Sequence, residues 1–109
     1  MYIKYDEYEL LELFENEPVP VFDEEAGVFI YSRIDNLGFK LVMTMSIYEF
    51  ECNISLNHDN YQKPIFEFKL KDVDSIKCDN GKMLLNRKEN EQSVIIYFKP
   101  NYSVDIINI

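Results

Sequence analysis

Between Phe39 and Leu56 the apolar residues alternate with polar ones, and midway the parity changes. Phe39, Leu41, Met43, Met45 and Ile47 hold odd positions, whereas Phe50, Cys52, Ile54 and Leu56 hold even ones. Period-two alternation is the mark of a strand with one buried face. A single straight strand of this length would run roughly 60 Å, too long for a small domain. A reversal at Tyr48 and Glu49 restores one apolar face by setting Ile47 opposite Phe50, Met45 opposite Cys52, Met43 opposite Ile54 and Leu41 opposite Leu56. Thr44, Ser46, Glu51, Asn53 and Ser55 then face outward. Neither Tyr nor Glu favours the positive φ of a two-residue hairpin turn. A four-residue loop from Ile47 to Phe50 keeps the same register, and a bulge in one bent strand would also switch the parity.

Elsewhere the pattern predicts one helix and further strands. Asp6 is placed to cap a helix over Glu7 to Glu15, with Glu9 completing a capping-box-like spacing. Leu10, Leu13 and Phe14, with Leu11 beside them, form its apolar stripe. Pro18 and Pro20 then extend the chain. Tyr2 to Tyr5 reads as a short lead-in strand. Gly27 to Ile34 is apolar on both faces, as for a strand covered on both sides, and Asp35 to Gly38 reads as a turn. Asn57 to Lys63 reads as an exposed loop, before a strand from Pro64 in which Phe66, Phe68 and Leu70 alternate with charged residues. The Asn80-Gly81 pair is a hairpin signal that sets Cys78 opposite Met83 and Ile76 opposite Leu85. A turn over Glu89 to Gln92, a strand over Ser93 to Lys99, a turn at Pro100 and Asn101 and a last strand over Tyr102 to Ile107 complete the chain. The expectation is one domain over residues 1–109, α+β and mostly β. Its helix packs on an antiparallel meander of about eight strands, either a curled sheet or a two-layer sandwich.

Composition sharpens this picture. The 109 residues include eight Phe, eight Tyr and only three Gly, which suits an ordered β-rich chain. No apolar run approaches the length of a membrane helix, and the acidic N-terminus lacks the basic and apolar regions of a signal peptide, so a cytoplasmic location is expected. Cys52 and Cys78 read as reduced core residues rather than a disulfide or redox pair. The net charge of −9 is concentrated at one end: residues 1–25 carry nine acids against Lys4 alone, and the other 84 residues are nearly balanced. Such a field opposes direct binding of nucleic acid or an anionic membrane and suits a cationic protein partner.

Candidate chemistry is sparse. His58 is the single histidine and reads as a solvated loop residue, with Asp59 unable to orient it by adjacency alone. Glu24 and Glu25 could pair for acid and base work only in a cleft that the sequence does not indicate. There is no phosphate loop, HExxH or Cys-x-x-Cys, so no cofactor, metal or catalytic residue is expected. The helix acids are more telling. Glu7 and Glu9 suit a helix N-terminus, but Glu12, Glu15 and Glu17 crowd the end where a base is preferred. A partner-binding role for Glu7, Glu12, Glu15, Asp23, Glu24 and Glu25 follows, with Tyr48 and Tyr61 as rigid contact area.

The layout also resembles a family. The stretches PIFEFKLKDVDSI (64–76), KCDNGKMLLNRK (77–88) and VIIYFKPNYSVDII (94–107) behind the acidic helix look like small immunity proteins of bacterial polymorphic toxin systems. That resemblance covers roughly Gly27 to Ile109. It implies a non-enzymatic cytosolic antidote that binds and blocks a cognate toxin, such as a nuclease with a basic cleft. A small-molecule or carbohydrate-binding β module is the alternative that the Tyr content allows.

Overall fold

In a computed structural model, residues 1–87 and 91–107 are described, with the side chains of 91–93 left aside. One helix, α1 (Glu7–Phe14), lies against two antiparallel sheets. The first sheet holds β1 (Val19–Pro20), β2 (Val28–Ile34), β3 (Phe39–Ser46), β4 (Glu51–His58) and β5 (Phe66–Lys71), in that order. The second holds β6 (Val73–Asp79), β7 (Lys82–Arg87), β8 (Glu91–Tyr97) and β9 (Ser103–Ile106), again in order. The mostly-β α+β architecture is therefore the expected one, with the meander divided between two layers.

The register of the central hairpin is the one its alternation demands. Leu41 pairs with Leu56, Met43 with Ile54 and Met45 with Cys52, and Leu41, Met43, Met45, Cys52 and Ile54 are all fully buried. The reversal is the four-residue loop from Ile47 to Phe50, in which Phe50 takes the left-handed conformation at φ 58°. Three distant segments hold this loop. Ile3 N–H donates to the Ile47 carbonyl at 2.8 Å, Ile47 N–H to the Gly27 carbonyl at 2.9 Å, and Val73 N–H to the Phe50 carbonyl at 2.9 Å. At the second hairpin, Cys78 faces Met83 and Ile76 faces Leu85, as the Asn80-Gly81 turn requires.

The meander divides at Asp72, a non-glycine residue with φ 61°, where β5 runs directly into β6. The N-terminal segment stitches the two layers. While Ile3 bonds to the first sheet, Lys4 N–H donates to the Asp74 carbonyl and Ile76 N–H to the Lys4 carbonyl, both at 2.9 Å. The expected lead-in strand is thus a single parallel bridge, Lys4 to Ser75. Leu10, Leu13 and Phe14 of α1 are buried. The ring of Phe14 meets Tyr31 of the first sheet at 5.4 Å and Phe98, just after β8, edge-on at 5.1 Å. One apolar core therefore joins all three elements.

Several expectations are corrected. β2 is not covered on both faces: of its residues only Tyr31 is buried, and Ile30 on the opposite face stays half-exposed. β8 begins at Glu91, so Gln92 belongs to a strand rather than a turn, while Glu89 lies outside the described residues. The extended Val19–Pro20 segment becomes an edge strand, pairing with Ile30 and Phe29, where a proline is tolerated because one side needs no donor. Ser55, expected outward, is buried and takes a hydrogen bond from the Asn57 amide at 3.1 Å.

Candidate protein-binding site

Asp6 caps α1 as its position suggests, its carboxylate accepting from the N–H groups of Tyr8 and Glu9 at 2.8 and 3.3 Å. Glu9 does not complete a capping box. Its carboxylate instead accepts from the Cys78 N–H at 3.1 Å and ties the helix to β6. At the other end Glu15 adopts a left-handed cap at φ 60°, and its N–H returns to the Leu11 carbonyl. The excess of acid at this negative end is offset from outside the helix. Arg33 of β2 pairs with Glu15 at 3.0 Å and donates to the Leu13 carbonyl at 2.8 Å, taking the place of a last-turn base.

The acids thereby fall into two grooves flanking α1. One lies between α1 and the β6–β7 turn; Glu9, Glu12 and Glu15 line it together with the cations Arg33 and Lys99. The other lies between α1 and the segment from Glu17 to the 3-10 turn at Glu24–Ala26. Its volume is about 370 Å³, and Glu7, Glu17 and Glu24 surround it with no Lys or Arg among the residues that line it. Tyr5, Leu11 and Phe29 are half-buried in this second groove, and Tyr8 is largely exposed at its side.

Tyr31 forms the base of the second groove. Only 3% of it is exposed, yet its hydroxyl has no hydrogen-bond partner among the described residues and is not sealed from solvent. Burial, helped by Tyr5, Glu7, Cys78 and Glu17, holds its phenol well above the ordinary range. Burial likewise raises Tyr5, with Glu7 and Tyr48 adding to the effect.

The eight residues expected to bind a partner are thus not one patch. Glu7 and Glu24 share the uncompensated groove, and Glu12 and Glu15 the compensated one. Asp23 caps the 3-10 turn by accepting from the Ala26 N–H at 2.9 Å, and Glu25 is exposed on that turn. Tyr48 joins this face: its ring covers Gly27, where an added Cβ would lie 2.6 Å from it. Tyr61 lies beyond the opposite end of the β3–β4 hairpin, separated by the strand length of roughly 26 Å. There it borders a separate, largely apolar depression with Phe39, Pro64 and Ile65. Tyr31 was not anticipated at the site, and Glu17, noted among the crowded acids, was outside the expected binding set. The Pro-Val-Pro run after Glu17 was the available signal, because it turns the chain back along β2.

His58 is corrected as well. It ends β4 rather than sitting in a loop, and it buttresses both neighbouring turns. Nδ1 accepts from the Asn60 N–H at 3.1 Å, so the hydrogen is on Nε2, which donates to the Leu37 carbonyl at 2.9 Å. Its ring packs on Phe39 at 4.6 Å and Tyr61 at 5.8 Å. Cys52 and Cys78 are both free thiols. Among the described residues no group of His, Cys, Asp and Glu could hold a metal ion, and no helix is long and apolar enough to cross a membrane.

No protein-family model matches the sequence, and no curated protein does. A solved structure does. In a contact-dependent growth inhibition toxin–immunity protein complex from Klebsiella pneumoniae 342, one chain is similar to this protein with a TM-score of 0.72. The chain has that fold. The likeness spans 96% of both chains at 24% identity, so it includes α1 as well as both sheets. The resemblance read over roughly Gly27 to Ile109 thus has a counterpart in a solved architecture.

Proposed function

We propose that this protein is an immunity-type antidote that binds and neutralises a cognate toxin in the bacterial cytoplasm. The carrying observation is the fold shared end to end with a chain of a toxin–immunity protein complex. The chemistry of the chain favours the antidote side of such a pair. The single histidine spends both ring nitrogens on backbone groups that hold turns together, which leaves it unsuited to proton transfer. The uncompensated acidic groove and the neighbouring Tyr48 suit a cationic partner, and a nuclease with a basic cleft is the toxin class that fits this charge. The protein acts in this reading by occupying a surface, not by turnover.

The test is co-expression with the toxin domain encoded beside its gene. Growth is expected to be restored by the protein and not by an unrelated acidic domain, and the two chains should co-purify. Growth arrest that persists despite folded, abundant protein would overturn the reading.

A further inference from the structure

The uncompensated groove beside α1 carries more than an excess of charge. Three carboxylates, Glu7, Glu17 and Glu24, face a space that contains no base. At its base lies an almost wholly buried tyrosine whose hydroxyl has no partner among the described residues and opens to solvent. That hydroxyl still meets solvent through the groove, so a ligand donor there takes the place of water. Tyr5 and Phe29 line the same space, and aromatic rings attract cations while covering the alkyl stem of a long basic side chain.

We propose that this groove is a receptor for one arginine side chain of the toxin partner, a refinement that rests on the antidote reading above. The chemistry selects arginine over lysine. The acceptors lie on different sides of the space, Tyr31 at the base and the carboxylates around the opening, and a guanidinium presents five N–H donors in a fixed plane. It is also more weakly hydrated than an ammonium, so entering an aromatic-lined groove costs it less. The arginine donates to the Tyr31 hydroxyl and to one or more of Glu7, Glu17 and Glu24, and its propyl stem lies against the rings. The fold holds this arrangement ready, because Tyr31 is packed against Phe14 at 5.4 Å and cannot follow a ligand outward.

The probe is Nα-acetyl-arginine N-methylamide, titrated into isotope-labelled intact protein and followed by NMR. Saturable shifts confined to Tyr5, Tyr8, Phe29, Tyr31 and the adjoining backbone are expected. The lysine amide should bind about fivefold more weakly, and the neutral citrulline amide should produce no saturable shift. Tyr31→Phe removes the hydroxyl alone and should leave stability intact while weakening the arginine amide about threefold. Equal binding of arginine and citrulline, shifts spread evenly over all the acids, or no groove shift at about 50 mM amide, well above the millimolar range of weak ligands, would overturn the proposal. A toxin arm separates the two readings. If the toxin binds the parent and Tyr31→Phe alike, the arginine receptor falls and the antidote function stands. If the arginine amide fills the groove but the toxin is not bound, the antidote function falls.

Discussion

The two grooves on either side of α1 are built from the same acidic stretch of sequence and have opposite electrostatic fates. On the side of the β6–β7 turn, Glu9 accepts a backbone N–H from β6 and Glu15 pairs with Arg33, while Lys99 lies along the same groove. On the side of the 3-10 turn, Glu7, Glu17 and Glu24 meet no cation among the residues lining the groove, and the Tyr31 hydroxyl beneath them opens to solvent with no partner among the described residues. The first set has become part of how the helix is held; the second meets no cation among the residues lining its groove. A run of acids is therefore not one surface. Which carboxylates are available is decided by where the few bases of the fold arrive.

The largest expected effect breaks the platform under the uncompensated groove. Gly27 has φ +73° and ends the 3-10 turn that carries Glu24, and a Cβ there would lie 2.6 Å from the Tyr48 ring and 2.7 Å from buried Ile47. Gly27→Ala should cost about 2–4 kcal/mol through overpacking and left-handed strain together, measured by urea denaturation. A cost near zero would show that this face is not the rigid support described.

Arg33→Ala tests the compensated side. It removes a charged donor to the Leu13 carbonyl and the partner of Glu15, and a loss of about 1.5–3 kcal/mol is expected from hydrogen bonding to a charged group. By contrast, Glu7→Gln, Glu17→Gln and Glu24→Gln combined should change stability by less than about 0.5 kcal/mol, since all three are exposed. If the two variants are equally stable, the division between structural and available acids is wrong.

Association kinetics sharpen the same contrast. That triple and the triple Glu9→Gln, Glu12→Gln, Glu15→Gln remove equal charge, so each should slow toxin association about tenfold at low salt, with the difference fading as salt rises. Only the Glu7, Glu17 and Glu24 triple should also hasten dissociation, because in the proposed complex only those carboxylates touch the partner. Equal dissociation rates would return all six to the role of a general field.

The last effect is absent at neutral pH and concerns Cys78, which lines the compensated groove. Burial, then Glu9 and Asp6, push its thiol up to about 12 from an ordinary value of 9.0. Since the folded state holds the proton more tightly, its contribution to stability is complete below about pH 9 and is lost as pH rises towards 12. The parent should therefore lose more stability across that window than Cys78→Ser. Alkylation of the folded protein by iodoacetamide should stay slow at pH 8. Rapid labelling of Cys78 in folded protein at that pH would contradict its environment.

Local patterns were enough to settle the registers of the two hairpins and the start of α1. Alternation at period two placed Leu41 across from Leu56, the Asn80-Gly81 turn placed Cys78 across from Met83, and Asp6 marked the start of α1. Each of these is decided by neighbours in the chain, where a one-residue slip would expose an entire apolar face. What the tertiary structure alone decided depends on partners brought from afar. The meander divides at Asp72 because Val73 and the N-terminal Ile3 and Lys4 find backbone partners across two layers, and no glycine announces the bend. His58 looked like a solvated loop residue until the Leu37 carbonyl arrived from 21 positions away. The acids, alike in sequence, were sorted by Arg33 on β2 and by the Pro18–Pro20 segment that carries Glu17 to the groove. A carboxylate's role depends on the charge that stands beside it in space, and one-dimensional spacing does not record that distance.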